Sequence, residues 1–393
     1  MAIQLFDRVL VESAPRRVRE WGPYQFPSLC KKDGRYYYHF SDAADHYSAY
    51  GLPGWVYQTD AACLAWEWCR DEDRYNEARA LRLPNGDLVC SYSGKSALTA
   101  ELELPEAAGT FTINGRHYTC YRNDQLPPEI GGFSLLRKKA GETQWKLEHA
   151  AMEEKGGIRC AFDGFLPAMQ ARANKFWLGP DGKPYLLVYN FKLREDGTPD
   201  SRDWVYLLRS DDNAHSFHEI GAIPYEPELS VDPQAYSDKR RGFLEPDMCF
   251  LDDRRMLCVI RTTHYELGPM YLCRSEDAGA TWTRPRYLHT HGVYPHLIRL
   301  ENGALVLSYG RPGVELMISW DDGSTWSKPV SIVPPKNADP MADTCGYTQL
   351  IAVDQNTCML AFSDFNYDPG DGYPRKAMFS QLICITKERT AHA

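Results

Sequence analysis

Two octapeptides, Ser275 to Trp282 (SEDAGATW) and Ser319 to Trp326 (SWDDGSTW), share the pattern S-x-D-x-G-x-T-W, and no other feature restricts the fold of this chain as much. The aspartate side chain accepts backbone N–H bonds, the glycine takes a positive φ, and the tryptophan is a large anchor that can pack between neighbouring sheets. Each octapeptide therefore reads as a β-hairpin corner. A degenerate copy, Ser210 to Phe217, carries Ala214 for the glycine and Phe217 for the tryptophan; Asp60 to Trp66 and Gly141 to Trp145 are weaker echoes. A corner that recurs every 44 to 65 residues predicts a radial array of sheets.

A second repeat has the same phase. Six times an apolar segment runs into a pair of turn residues and out into another apolar segment: Asp33-Gly34, Asn85-Gly86, Asp181-Gly182, Asp252-Asp253, Asn302-Gly303 and Asp354-Gln355. Around Asn302-Gly303 the flanks are Pro295 to Leu300 and Ala304 to Tyr309, a strong two-residue hairpin signal. Where an octapeptide is present it follows the turn by about 20 to 30 residues, so each unit is two inner strands followed by two outer strands. Six four-stranded units predict an all-β chain, a six-bladed β-propeller, with residues 1–393 as one domain. A β-sandwich would not repeat one signature at one phase in its units. The stretch from Asn85 to Asp181 is longer than the others at 96 residues, which places an insertion around 95–165 in the second blade region, with Thr112 to Tyr118 as an extra hairpin. The last unit lacks an octapeptide and ends in the strand-like Ala377 to Thr386; Ile3 to Val11 could supply the strand that closes it.

Composition excludes some partners. A net charge of −9, with only the short basic runs Arg16-Arg17 and Lys239 to Arg241, argues against nucleic acid. No segment approaches the length of a membrane span, and the N-terminus lacks a basic start followed by an apolar run, so a soluble, cytoplasmic protein is expected. Cys90, Cys258, Cys273, Cys358 and Cys384 fall inside apolar strand patterns, and no Cys/His cluster has zinc spacing. Most of the twelve cysteines are therefore expected to be buried thiols of a reducing compartment, with no metal and no cofactor. The 24 tyrosines and 10 tryptophans suit β structure and also sugar stacking.

In a propeller, residues just before each first strand and just after each second strand converge on one mouth of the channel. Before first strands stand Gln25, Glu245, Tyr294 and Tyr347; after second strands stand Asp42, Asn190, Arg261, Arg311 and Asp364. Arginines, carboxylates and a tyrosine aimed at one funnel must pair with each other or await a ligand, because unpaired buried charge is costly.

The octapeptides resemble the Asp-boxes (BNR repeats) of the sialidase (neuraminidase) superfamily, six-bladed propellers that cleave terminal sialic acids. Glu245-Pro246 through Arg261 is similar to the stretch that begins with that family's catalytic glutamate and ends with the second arginine of its carboxylate-binding triad. Ser308 to Arg311 falls where the third arginine is expected, and Cys345 to Leu350 looks like the segment carrying the tyrosine nucleophile. The resemblance covers roughly Gln25 to Asp364. It departs at the family's Arg-Ile-Pro motif, where this chain has Gln25-Phe26-Pro27. Glutamine offers neutral hydrogen bonds and not the bidentate, charged pair of a guanidinium.

What the resemblance implies is an exo-acting glycoside hydrolase of the retaining type acting on an oligosaccharide or glycoconjugate. Tyr347 would be the nucleophile, Glu245 its base, and Asp42 or Asp45 the acid/base, Asp45 being preferred because a loop residue can reach over the funnel. Arg261 and Arg311, with Gln25, Tyr294 and Asp364, would bind a terminal acidic sugar, sialic-acid-like or uronic. Two other readings stay open: a polysaccharide lyase relying on His291, Tyr294 or His296, and a glycan-binding propeller without catalysis.

Overall fold

The computed structural model describes residues 2–49, 52, 54–60, 65–94, 96–167, 176–262 and 267–387. Most of its strands form six four-stranded antiparallel blades, the second and third of which are joined into one eight-stranded sheet by the parallel pairing of Lys146–Glu153 with Ser216–Ile223. Blade 1 is Gln25–Lys32, Arg35–Ser41, Trp55–Thr59 and Glu67–Trp68; blade 2 is Leu81–Arg82, Leu88–Ser91, Phe133–Lys138 and Lys146–Glu153. Blade 3 is Phe176–Leu178, Pro184–Asn190, Trp204–Arg209 and Ser216–Ile223; blade 4 is Leu244–Phe250, Met256–Arg261, Met270–Ser275 and Arg286–His289. Blade 5 is Val293–Arg299, Leu305–Gly310, Val314–Ser319 and Val330–Val333, and blade 6 is Gln349–Ala352, Thr357–Tyr367 and Arg375–Thr386 with Ala2–Ser13 as its fourth strand. This is the six-bladed β-propeller class that the repeats predict. Pairing of Ala2–Ser13 with Arg375–Thr386, Ile3 opposite Ile385 and Ser13 opposite Ala377, supplies the closing strand expected of the N-terminus.

The chain divides into two compact units. The first comprises Met1–Ala44, Pro53–Ala78 and Gly292–Ala393 and holds blades 5, 6 and 1; the second comprises Asp45–Leu52 and Arg79–His291 and holds blades 2, 3 and 4. Each unit buries its core between consecutive blades. In the first, Val306, Leu316, Leu360, Phe362 and Ile383 pack together between blades 5 and 6, and Tyr38, Phe40, Met359 and Met378 between blades 6 and 1. In the second, Leu135 meets Leu186, Leu208 and Phe217 between blades 2 and 3, and Leu187 and Leu207 meet Cys258 and Ile260 between blades 3 and 4. Second strands such as Met256–Arg261 and Leu305–Gly310 are buried along their whole length, which is why they read as continuous apolar runs rather than alternating ones. No helix among the described residues is long and apolar enough to cross a membrane.

All six turn pairs join the first and second strands of their blades, but only Asp33-Gly34 has the two positive φ angles, 50° and 76°, of the expected two-residue turn. At Asn85-Gly86, Asp181-Gly182 and Asn302-Gly303 the loop is longer. Leu83 N donates to Asp87 O and Gly86 N to Leu83 O, and Leu300 with Ala304 and Gly303 repeats the pattern. These are type I turns whose glycine takes the left-handed position of a bulge, a geometry equally served by Asn-Gly and Asp-Gly.

The octapeptide corners join third and fourth strands, and their sequence signature is a hydrogen-bond set. Ser275 Oγ accepts from Gly279 N at 2.8 Å, and Asp277 accepts from Thr281 N at 2.8 Å and Thr281 Oγ1 at 2.6 Å. Ser319, Asp321, Gly323 and Thr325 repeat these bonds, and so does the degenerate copy through Ser210, Asp212, Ala214 and Ser216. Ala214 takes φ 64° where the other copies have glycine. Of the anchors, Phe217 is fully buried, whereas Trp282 and Trp326 are half-buried. In the Asp60 to Trp66 echo, residues 61–64 lie outside the described residues.

Between Leu88–Ser91 and Phe133–Lys138 of blade 2, and again after Lys146–Glu153, the chain forms further short strands outside the blades. Gly109–Ile113 and Arg116–Arg122, joined at Asn114-Gly115, add Ile158–Ala161 as a third strand, and Ala97–Leu98 pairs with Phe165–Leu166.

Candidate active site

Three strand starts share one local device. Gln25-Phe26-Pro27, Leu244-Glu245-Pro246 and Val293-Tyr294-Pro295 each set a non-glycine residue at positive φ ahead of a proline: 57° at Phe26, 47° at Glu245 and 49° at Tyr294. The register with the second strand slips across each, between Gln25 and Ser28, Leu244 and Asp247, and Val293 and His296. Arg311, at the end of the second strand of blade 5, has φ 55°. A side chain in the left-handed region costs roughly 1–2 kcal/mol, and strain of this kind gathers where function requires a side chain to be re-aimed. Glu245, Tyr294 and Arg311 are all residues that the sequence singles out.

In the first unit, these elements assemble an aromatic cradle around Tyr347. The Tyr294 ring stacks on the Tyr347 ring with centroids 4.3 Å apart and planes 7° apart, and Phe26 meets Tyr347 edge-on at 4.8 Å. Tyr294 is buried and Tyr347 half-buried, so part of the Tyr347 ring remains open. Arg311 is held against the same loop: its Nη2 donates to Cys345 O at 2.8 Å, and its guanidinium lies 5.3 Å from the Trp21 ring. Trp21 in turn packs edge-on against Phe26 at 6.5 Å and Phe365 at 6.2 Å.

The loop carrying Tyr347 is fixed on several sides. Cys345 N donates to Ser363 Oγ at 3.1 Å, and the Ser308 and Thr348 hydroxyls bond at 2.7 Å. Upstream, the buried Asp343 carboxylate accepts from the amides of Lys336 and Asn337 at 2.8 and 3.1 Å and from the Asn337 and Asn366 side chains at 2.6 and 2.8 Å. Burial pushes the Asp343 carboxyl up, but these donors outweigh it and hold its pKa below the usual value. Gly346, at φ 75°, lets the loop come close to Arg311.

The other expected residues of this unit differ in role. Gln25 is fully buried, and neither of its amide atoms has a hydrogen-bond partner among the described residues. Asp364, expected to bind substrate, has Oδ2 on Arg8 Nη1 at 3.1 Å and Oδ1 on Asn366 N at 2.9 Å, so it acts as a tie within the blade. Asp42 is exposed just after Arg35–Ser41. His296 is buried and its Nδ1 accepts from Leu350 N at 3.3 Å, a packing role.

In the second unit, Glu245 and Arg261 find each other. Their ion pair, Oε2 to Nη1 at 2.5 Å, is almost fully buried, with both side chains 1 % exposed. The bulge at Glu245-Pro246 brings it about, since the register partner of Arg261 is Leu244, the residue before it. Of the two outcomes open to charges in a closed site, pairing is therefore met at this arginine. Asp45 is exposed, and His291 bonds Thr290 Oγ1 at 3.0 Å and packs on His289 at 4.6 Å.

With this geometry in place, comparison with known proteins adds the following. No protein-family model matches the sequence, and no curated protein matches it. Among solved structures, a protein of unknown function from Dyadobacter fermentans DSM 18053 is similar over 98 % of this chain and 99 % of its own, at 16 % identity and a TM-score of 0.66. The NanB sialidase of Streptococcus pneumoniae is similar over 96 % of this chain and 70 % of its own, at 14 % identity and a TM-score of 0.48. The α-L-arabinofuranosidase Arb93A of Fusarium graminearum is similar over 97 % and 98 %, at 11 % identity and a TM-score of 0.47. The first likeness shows the shared fold.

Residue-by-residue reading of the sequence missed Trp21, Phe26, Ser308 and Asp343. The X-Pro step repeated at Phe26, Glu245 and Tyr294 is the signal that could have found the second of these, and Trp21-Gly-Pro-Tyr directly ahead of Gln25 the first. Ser308 bonds Thr348, 40 residues away, and Asp343 ties the nearby Lys336 and Asn337 amides to Asn366, 23 residues on, and no repeat pattern marks either residue.

Proposed function

We propose that the protein is a glycan-acting enzyme, an exo-glycosidase of the retaining type that removes a terminal acidic sugar with Tyr347 as nucleophile. The observation that carries this reading is the Tyr347 cradle. A phenol is held by two rings, left partly open, and flanked by a guanidinium anchored two residues away on Cys345 O. A neutral phenol suits an anomeric carbon that bears a carboxylate, because a carboxylate nucleophile would be repelled there. Arg311 is assigned to that carboxylate, Arg261 being neutralised by Glu245. In the reaction that the sequence resemblance implies, Tyr347 Oη attacks the anomeric carbon, Glu245 would take the phenolic proton, and an aspartate of the 42–45 loop would protonate the leaving oxygen and then activate the water that releases the sugar. The roles of Glu245 and of the aspartates Asp42 and Asp45 rest on the sequence resemblance.

The test is a panel of 4-methylumbelliferyl glycosides covering sialic acids, uronic acids and neutral deoxy sugars, run with the wild type and Tyr347→Phe. The reading expects release from an acidic glycoside and a loss on the order of 10³-fold or more in Tyr347→Phe, which removes only the phenolic oxygen. Near-normal turnover by the variant rejects Tyr347 as nucleophile. An unsaturated uronic product identifies a lyase, and binding without turnover identifies a glycan-binding protein.

A further inference from the structure

The insertion contains a pair of cysteines whose placement the activity does not use. Arg116–Arg122 lies between Gly109–Ile113 and Ile158–Ala161 in an antiparallel sheet, and Cys120 stands directly opposite Cys160. Cys120 O accepts from Ala108 N at 2.8 Å, on the side of Gly109–Ile113. The backbone groups of one strand residue face the same side, so toward Cys160 it belongs to a non-hydrogen-bonded pair. In such pairs the Cα atoms stand about 4.5 Å apart with side chains at their closest, within the range of roughly 4.4–6.8 Å that a disulfide bridges. The two sulfurs are already in contact, Sγ to Sγ 2.7 Å, in a pocket of apolar side chains that includes Ile113, Tyr118, Ile158 and Phe191.

We propose that Cys120 and Cys160 form a disulfide that staples the inserted hairpin to strand Ile158–Ala161, and that the chain matures where a small-molecule disulfide serves as oxidant. The Cys160 thiolate attacks one sulfur of the oxidant and expels a thiolate, leaving a mixed disulfide on Cys160. The Cys120 thiolate then attacks the Cys160 sulfur and expels the second thiolate. Both protein thiols lose their protons to solvent, two electrons leave the pair, and the oxidant is reduced to two thiols. Cys160 is the entry point because it is 8 % exposed and Cys120 is 0 % exposed. Burial, and then the neighbouring Cys120, push the Cys160 thiol well up, so exchange in the folded protein is slow and the bond forms fastest while the sheet is still assembling. This departs from the reducing compartment, with most cysteines as thiols, that the sequence leads one to expect. The two cysteines are 40 residues apart, and only the strand register brings them face to face.

The experiment treats the full chain with a mixture of oxidised and reduced glutathione, once folded and once during refolding from denaturant, followed by alkylation and a non-reducing digest read by mass spectrometry. The expected result is a linked peptide pair containing Cys120 and Cys160, two fewer alkylated cysteines, and reversal of both by dithiothreitol. Oxidised wild type should also melt at a higher temperature than reduced wild type, a difference absent in Cys160→Ser. Full alkylation of both cysteines in both arms overturns the proposal. So does a crosslink confined to Cys258 and Cys273, which are also direct strand partners.

Discussion

Replacing Gly310 by alanine adds one methyl group where the end of the second strand of blade 5 touches the loop that carries Tyr347. An ideal Cβ on Gly310 lies 2.3 Å from both the Cα and the O of Gly346 and 2.6 Å from its carbonyl carbon. All three are backbone atoms, so no flexible side chain can yield. Carbon atoms pack favourably at about 3.5–4.0 Å, and the two segments must therefore part by roughly 1 Å. Overpacking of this kind costs about 1–3 kcal/mol, and a backbone-on-backbone clash belongs at the upper end, about 3 kcal/mol. With an unfolding entropy of about 2.1 cal/mol/K per residue, ~3 kcal/mol lowers Tm by roughly 4 °C in a chain of 393 residues. Gly34→Ala is the reference. Gly34 has φ 76° and open space around its would-be Cβ, so it carries only the conformational cost of about 1–2 kcal/mol. Urea unfolding and calorimetry of both variants give the comparison. A Gly310→Ala protein no less stable than Gly34→Ala would refute the close approach of Gly310 to Gly346, and with it the account of how the Tyr347 loop is held.

The octapeptide corners should make the protein acid-sensitive. Asp321, opposed by burial but favoured by the Thr325 hydroxyl and amide, is held down to about 2, and Asp277 is lowered chiefly by the Thr281 hydroxyl. Folded values below the unfolded value of about 3.9 mean that their stabilisation is complete above that pH and is lost as the pH falls toward 2. Asp321→Asn should flatten the fall of Tm between about pH 4 and 2, and an unchanged acid profile would contradict the assignment. In the second unit, Glu154 has no exposed side-chain surface and accepts from Arg159 at 3.1 Å, Asn123 at 2.9 Å and Tyr206 at 2.8 Å. Glu154→Ala strands the Arg159 charge and should cost about 3–5 kcal/mol in urea unfolding. A cost under about 1 kcal/mol would mean that water or another carboxylate takes the place of Glu154.

The parts of the fold that lay open in the sequence are those set by short-range chemistry. The octapeptide corner is read directly because its serine, aspartate and threonine bond to one another within eight residues, and the same bonds persist in the copy where Ala214 replaces glycine. Turn pairs and the closing strand at the N-terminus are visible for the same reason: each is a local alternation or a local turn. The turn type was not, because an Asn-Gly pair serves a two-residue turn and a bulged loop alike.

The site was half legible. Tyr347, Tyr294 and Arg311 could be placed together from their phase in the repeats. That Glu245 would neutralise Arg261, or that Arg8 would occupy Asp364, could not be, since each depends on which of several charges comes within reach. The contact between Cys120 and Cys160 depends on strand register alone, which a one-residue slip would abolish.

The most direct test of the account is to find where the sugar becomes attached. The chain is incubated with a slowly released fluorinated analogue of the acidic glycoside that the panel identifies, quenched, digested, and sequenced by tandem mass spectrometry. The account predicts one covalent glycosyl adduct, on the Tyr347 oxygen within the peptide that contains Cys345 and Gln349, and no adduct in Tyr347→Phe. An adduct on an aspartate or glutamate, or an adduct of equal yield in Tyr347→Phe, would contradict it.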